Sequence, residues 1–309
     1  MHILVTGAAG YIGTTLCPAL LQAGHQVTAL DLFKTTDALF APLFANPMFT
    51  CVKGDVRNEE LLSRLTRDVD VVIPLAALVG APLCDRDPIA ATSTNFTAIE
   101  MLTNILSADQ RIILPTTNSG YGVAVGDEYC TEESPLNPIS LYGKDKMKAE
   151  AVVLKHGNSV SLRLATVFGF SPRMRLDLLV NDFCYRAYSE KVLVIFEGHF
   201  RRNYIHVRDV VNAMLLFIER MDIKQEVFNV GLSTANLSKI QLARKIEEYV
   251  PGLTIIEHAI GSDPDKRDYL VSNEKLEGIG WSPAYSIDDG IKELLKGFVT
   301  LNTKRFSNV

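Results

Sequence analysis

No apolar run in this chain approaches the roughly 18 residues that a membrane-crossing helix requires. The N-terminus also lacks the charged stretch and apolar core of a secretory leader, so the expectation is a cytoplasmic protein with no membrane partner. Cysteine is sparse. Cys17, Cys51, Cys84, Cys130 and Cys184 are odd in number, scattered and without a C-x-x-C pair, which points to neither a disulfide framework nor a structural zinc site. The histidines are too scattered to define any other metal site. Thirty-one basic side chains stand against 36 acidic ones, a net charge of −5 and a pI near 5.7, so there is no basic excess to meet a nucleic-acid backbone or anionic lipid. Repeats and low-complexity tracts are absent. What remains is 309 residues at 47% hydrophobic and 22% charged, an ordinary globular composition with length for two domains, or for one large α/β domain with a lobe.

The first thirty residues alternate in type: a β-branched run at His2 to Val5, helical periodicity from Tyr11 to Ala23, a stop at Gly24, and a second strand at Gln26 to Leu30. Further strands are predicted at Phe49 to Lys53, Val69 to Ala76, Arg111 to Pro115 and Val160 to Ala165. Helices are predicted near Glu59 to Arg67, Thr94 to Ala108 and Tyr142 to His156. Such alternation means an α/β fold, a doubly wound parallel sheet covered on both faces. Pro18 inside the first helix should weaken or kink it. After Gly169 the rhythm changes, with a helix at Leu176 to Tyr188, a strand at Val192 to Phe196, a strand and helix over Tyr204 to Arg220, and a last helix at Ile287 to Phe298. The predicted organisation is a sheet domain of residues 1–168 plus about 201–225, and a smaller, interleaved C-terminal lobe of about 169–200 and 226–309.

Directly after the first strand, Gly7, Gly10 and Gly13 are spaced G-x-x-G-x-x-G and open into a helix. A pyrophosphate needs bare N–H groups and the positive end of a helix, and glycine lets the chain come close enough to offer them. Gly7, Gly10, Tyr11, Ile12 and Gly13 are thus candidate cofactor contacts, although a glycine-rich turn without ligand has the same spelling. Asp31 ends the second strand, where a carboxylate accepts from both hydroxyls of an adenosine ribose and repels a 2′-phosphate, selecting NAD over NADP. Lys34 nearby keeps NADP open, and a plain turn residue is the alternative for Asp31. Asp55 and Val56, after the third strand, could meet the adenine edge or simply form a loop. Tyr142 and Lys146 lie four apart at a helix start, hence on one face. A free phenol titrates near 10; a neighbouring ammonium and a cationic nicotinamide favour its phenolate, making Tyr142 a candidate base. Tyr-x-x-x-Lys alone is common on helical surfaces; after a glycine turn and Asp31 it gains meaning.

These elements together resemble the extended short-chain dehydrogenase/reductases, in particular the nucleotide-sugar epimerase/dehydratase group. The resemblance runs over nearly the whole chain and also takes in Leu75-Ala76-Ala77, Asn95, Thr116 to Gly122, Leu162 to Gly169 and Arg202 to Val207. It implies a Rossmann-type sheet, NAD as cofactor and a nucleotide-diphosphate sugar as substrate. It places Thr117 on the reacting sugar hydroxyl and Lys146 on the nicotinamide ribose, with Leu75, Ala76 and Ala77 along the cofactor groove. Asn95 would be a structural residue beneath the site. Arg202 and Arg267, the latter in Asp265-Lys266-Arg267-Asp268, correspond to arginines that grip the pyrophosphate, work suited to a planar fork. Asn118 and Ser119 would face the substrate. Arg173, Arg175 and Asn181 fall where the family builds its substrate loop, with a solvated charge pair as the alternative for the arginines. His206 is expected to be a packed residue. A homodimer through helices 94–108 and 142–156 is also implied.

The family shares removal of hydride from a sugar carbon, usually C4. Dehydratases of the group carry acidic residues in the two positions after the Ser/Thr, and a decarboxylating branch uses a glutamate. Asn118 and Ser119 hold those positions here, so 4-epimerisation is the expected reaction. A 4-keto-sugar reductase and a 4,6-dehydratase-like enzyme are the alternatives, and an NAD-binding sensor or scaffold is the non-enzymatic one. Epimerisation of a carbon acid would need its own acid/base pair, for which Cys84 beside Asp85 is the only candidate. Gly120, where a bulkier apolar residue is usual, would either widen the pocket or accommodate backbone.

Overall fold

The computed structural model describes residues 1–34, 39–123, 128–258 and 267–301. In chain order the elements are β1 (His2–Thr6), α1 (Gly13–Gln22), β2 (Gln26–Asp31), β3 (Phe49–Lys53), α2 (Glu59–Thr66), β4 (Val71–Pro74), α3 (Ala81–Arg86) and α4 (Pro88–Thr92). A π-helical turn (Ser93–Thr97) leads into α5 (Ala98–Ile105), then β5 (Arg111–Thr117), a 3-10 turn (Asn118–Tyr121), β6 (Tyr129–Cys130), α6 (Leu141–Val153), β7 (Ser159–Leu164) and β8 (Thr166–Phe168). The remainder comprises α7 (Leu179–Ser189), β9 (Val192–Phe196), β10 (Arg201–His206), α8 (Val207–Glu219), β11 (Glu226–Val230), β12 (Asn236–Ser238), α9 (Lys239–Glu247), β13 (Thr254–His258), β14 (Leu270–Val271), α10 (Glu274–Gly278) and α11 (Ile287–Gly297).

Seven strands pair in the order β11-β7-β5-β4-β1-β2-β3, and every pairing is parallel. This is the doubly wound sheet expected from the alternation. Successive side chains of a strand leave opposite faces, so one strand feeds two cores. Ile3 and Val5 join α1, α8 and the lobe on one face, while Leu4 joins α2, α5 and α6 on the other. The strand order reverses between β1 and β4, and the crevice at their carboxyl ends is where such sheets bind ligands. Side-chain caps set the helix starts that matter here: Asn58 accepts from the Leu61 N–H ahead of α2, and Ser140 from the Gly143 N–H ahead of α6.

Three details differ from the sequence reading. Glu226–Val230, which it placed in the lobe, is the outermost strand of the main sheet, zipped along β7 from Val160 to Leu164. Arg201–His206, which it placed with the sheet domain, instead joins β8 and β12 in a separate three-stranded sheet. The helix predicted at 94–108 is interrupted by the π-turn, which carries Asn95 into the interior. α1 runs on through Pro18. Asp265, Lys266 and the 302–309 end of the predicted lobe lie outside the described residues.

Behind the crevice a buried polar network ties four elements together. The Glu150 carboxylate of α6 meets Arg163 of β7 at 2.7 Å and accepts from Ser161 and Thr116 at 2.7 and 3.1 Å. Arg163 also donates to the Tyr121 hydroxyl at 3.0 Å, and that hydroxyl donates to Asn229 of β11 at 2.7 Å. Every polar atom faces a partner, which is what makes a buried charge tolerable. Removing one partner strands the other: Glu150→Ala is expected to cost about 3–5 kcal/mol in urea denaturation, whereas a loss under 1 kcal/mol would mean that water already serves the pair.

Candidate active site

The glycine turn is shaped by close approach. A Cβ on Gly7, whose φ is +64°, would lie 2.5 Å from the Ala76 nitrogen, and one on Gly13 would lie 2.3 Å from the Ala8 carbonyl. A Cβ on Gly10 would meet only the Gly7 carbonyl at 3.0 Å, so this glycine faces the crevice. The amides of Ala8, Ala9 and Gly10 are taken by the Leu30 carbonyl, Asp31 and the Gly7 carbonyl. Those of Tyr11 and Ile12, leading into the ten-residue α1, have no acceptor among the described residues. Asp31 accepts from the Ala9 and Phe33 amides at 3.0 and 2.9 Å, which fixes both oxygens at the rim and leaves each a lone pair. Leu75, Ala76 and Ala77 form the half-buried opposite wall. Farther out, Asp55 and Val56 are also half-buried, and Asp55 is held by Arg57 at 2.6 Å, which keeps its carboxyl below the usual range.

Thr117 closes β5, and its hydroxyl accepts the Ser119 N–H at 3.1 Å while sharing a 2.8 Å hydrogen bond with the Ser119 hydroxyl. The Arg267 guanidinium donates to the same serine oxygen. The turn lies against α6: a Cβ on Gly143 would touch the Ser119 carbonyl at 3.4 Å, and one on Gly120 would lie 2.4 Å from the Met147 sulfur. Met147 fills the space beside Gly120, so that glycine lets helix and turn close on each other and opens no pocket. One residue before Gly143 stands half-buried Tyr142, and one turn later Lys146, only 4% exposed.

Burial pushes the Tyr142 phenol up to about 12 against the pull of the Arg175 and Arg267 guanidiniums. It draws the Lys146 ammonium down to about 8, opposed by Glu150 one further turn along the helix. The lysine therefore loses its charge before the phenol ionises. The Arg175 and Arg267 guanidiniums both pull on Tyr142, a contribution that spacing did not indicate.

The candidate substrate residues divide into two groups. Arg202 is buried, with Nη1 on the Arg201 carbonyl and its guanidinium 5.7 Å from the Tyr269 ring centre. Asn118 is buried with both amide atoms unpartnered among the described residues. Asn181 is also buried, but it is fully engaged: it accepts from the Gly169 N–H and donates to the Arg175 carbonyl and the Tyr11 hydroxyl. It is a clamp on the 169–175 loop, and its reading as a substrate ligand is corrected accordingly. The Tyr11 hydroxyl is likewise committed, donating to the Gly169 carbonyl, so only the main chain of Tyr11 remains for a cofactor. Arg173 is buried with its amide on Thr14 of α1, which places it at the glycine turn. Arg175 is gripped by Asp177. His206 is a packed residue, bonded to Glu293 at 2.7 Å and stacked on Tyr285.

Asn95 accepts the Leu78 N–H and donates to the Leu78 carbonyl, with Cys84 beside it at 3.7 Å. Burial raises the Cys84 thiol to about 11, and Asp85 next to it is exposed, so the two form no acid/base pair. Spacing alone did not reveal Arg57, Ser171 or Glu150, although Glu150 continues the helix face of Tyr142 and Lys146.

A crevice at the β1/β4 reversal, with open amides at a helix start, a fixed carboxylate at the rim and a tyrosine and lysine on the facing helix, fits a nicotinamide dinucleotide. A profile of the NAD dependent epimerase/dehydratase family matches residues 3–231. The low-salt glycan biosynthesis protein Agl12 of Haloferax volcanii is 30% identical over 94% of this chain and 96% of its own length. UDP-glucuronic acid decarboxylase 1 of Arabidopsis thaliana is 26% identical over 96% of this chain and 70% of its own. The UDP-glucose 4-epimerase of Thermotoga maritima, solved with UDP-glucose, superposes with a TM-score of 0.85 at 26% identity, covering 97% of this chain and 99% of its own. A variant UDP-glucuronic acid 4-epimerase of Bacillus cereus, solved with NAD, gives 0.85 at 27% with the same coverage. The chain belongs to the NAD-dependent epimerase/dehydratase family, enzymes of the extended short-chain dehydrogenase/reductase type, and its cofactor is NAD. No helix among the described residues is long and apolar enough to cross a membrane.

Two outcomes follow from the geometry. Asp31→Ala should weaken NAD binding about tenfold, the equivalent of ~1.4 kcal/mol, and admit NADP in calorimetric titration; unchanged NAD affinity would put the adenosine ribose elsewhere. A folded-state Lys146 near 8 against 10.5 unfolded means that the unfolded chain holds the extra proton between those values. Wild-type stability therefore gains as pH rises through that window. Lys146→Met should be more stable by up to about 3 kcal/mol at pH 7, and the difference should close toward pH 10.5; a constant difference would show that charge burial is not its source.

Proposed function

We propose that the protein is a nucleotide-diphosphate-sugar 4-epimerase working through a transient 4-keto sugar. The observation that carries this reading is the make-up of the turn after β5. Thr117, Asn118 and Ser119 bring hydroxyls and a carboxamide beside the helix of Tyr142, and none of them titrates usefully. Elimination of water or loss of carbon dioxide needs an acid or base in addition to the tyrosine. Removal and return of hydrogen at one carbon does not. The neutral, buried thiol of Cys84 supports the same choice against carbon-acid chemistry.

In this reading bound NAD would supply reversible hydride acceptance for C4 and a positive charge beside the tyrosine. Tyr142 takes the proton of the 4-hydroxyl and gives it back, its phenolate favoured by Arg175 and Arg267. Thr117 bonds the reacting oxygen. Lys146 holds the nicotinamide ribose, and Arg202 and Arg267 grip the diphosphate. Asn118 offers a donor and an acceptor to the sugar. The names of the two similar 4-epimerases support the substrate class; that of the decarboxylase marks a competing outcome. The implied homodimer belongs to the same proposal, with α5 and α6 adjacent on one face of the sheet.

Proton NMR of the purified enzyme with a panel of nucleotide sugars and no added cofactor should show inverted C4 products. A stable 4-keto-6-deoxy product would make it a dehydratase, and strict need for added reduced cofactor a reductase. Tyr142→Phe should lower kcat by about 10³-fold with the melting temperature retained.

A further inference from the structure

The Thr117 and Ser119 hydroxyls hydrogen-bond each other at 2.8 Å, and that bond can run in either direction. Two neighbours settle which. The Thr117 oxygen already accepts the Ser119 main-chain N–H at 3.1 Å, and the Ser119 oxygen already accepts a guanidinium N–H from Arg267. A hydroxyl oxygen that accepts from a cation is a poorer second acceptor, and its own proton becomes a better donor, because hydrogen bonds in a chain polarise one another. The serine proton then lies on the Thr117 oxygen. That oxygen thereby accepts twice, and the only direction left for its own proton is out of the turn.

We propose that Ser119, polarised by Arg267, is a positioning residue that turns the Thr117 hydroxyl into an obligate donor toward the reacting oxygen. This rests on the epimerase reading above. A one-way donor suits a site in which a sugar hydroxyl becomes a carbonyl: it strengthens as the oxygen loses its proton, and it cannot compete with Tyr142 for that proton. It also gives Arg267 a second task beside gripping a diphosphate. Both residues of the turn are buried, Thr117 at 9% and Ser119 at 3% exposure, so bulk water does not scramble the direction.

The test is a double-mutant cycle on kcat and KM with Ser119→Ala and Thr117→Val. Ser119→Ala alone should lower kcat about tenfold, the order of one hydrogen bond, with KM within about twofold. In the Thr117→Val background, where no hydroxyl is left to orient, it should change kcat less than about twofold. Multiplicative losses, or a loss confined to KM, would mean that Ser119 touches the sugar itself and would overturn the proposal. A second arm needs no turnover. In a neutron structure of the NAD-bound enzyme, the Thr117 deuteron should point away from Ser119; a deuteron lying on the line from Thr117 to Ser119 refutes the inference even if epimerisation is established. Failure of every sugar in the panel would instead sink the epimerase reading and leave the neutron result standing on its own.

Discussion

The structure depends on one constraint: the main chain of the glycine turn is held from two sides at once. Gly7 sits against the Ala76 backbone with no space for a side chain. On the other side the Tyr11 hydroxyl donates to the Gly169 carbonyl, and the Ser171 hydroxyl donates to the Tyr11 carbonyl at 2.7 Å. The cofactor turn and the 169–175 loop are therefore one mechanical unit. Asn181 completes it from α7 by binding both ends of that loop. A displacement of the loop is passed to the glycine turn through these hydrogen bonds and not across a gap.

A second buried assembly does the same for the turn after β5. The Glu150–Arg163 pair draws α6, β5, β7 and β11 to one point, with Tyr121 as the link to the 3-10 turn. Thr117 and Tyr142 come from elements far apart in sequence, and their separation in space is set by this packing, with Met147 seated where Gly120 lacks a side chain. Burial of this kind costs stability where it takes in a charge, as at Lys146, whose ammonium is drawn down to about 8.

Much of this was legible in the sequence where the signal is local. The strand Phe49–Lys53 and the start of α2 at Glu59 coincide with the pattern because a β-branched run and an Asn58 cap act over a few residues. The glycine turn is equally readable, since its chemistry lies in the backbone. What escaped is long-range pairing. Nothing near Glu226 says that it will zip onto β7, and nothing near Asn181 says that its amide will be consumed by Gly169, Arg175 and Tyr11 in place of a ligand. Ionisation escaped for the same reason: spacing shows that Lys146 lies one turn from Tyr142, but the burial that pushes the phenol up and the ammonium down comes from the whole fold.

The π-helical turn at Ser93–Thr97 has a consequence for how this helix can change. A wide turn holds about one residue more than an α-turn, so everything downstream is rotated by roughly 100° relative to an uninterrupted helix. Ile99 and Leu102 reach the core in that rotated phase, while Asn95 reaches Leu78. Deleting one residue here would regularise the helix yet leave a single register unable to serve both faces. The segment can therefore accept substitutions but resists any change of length.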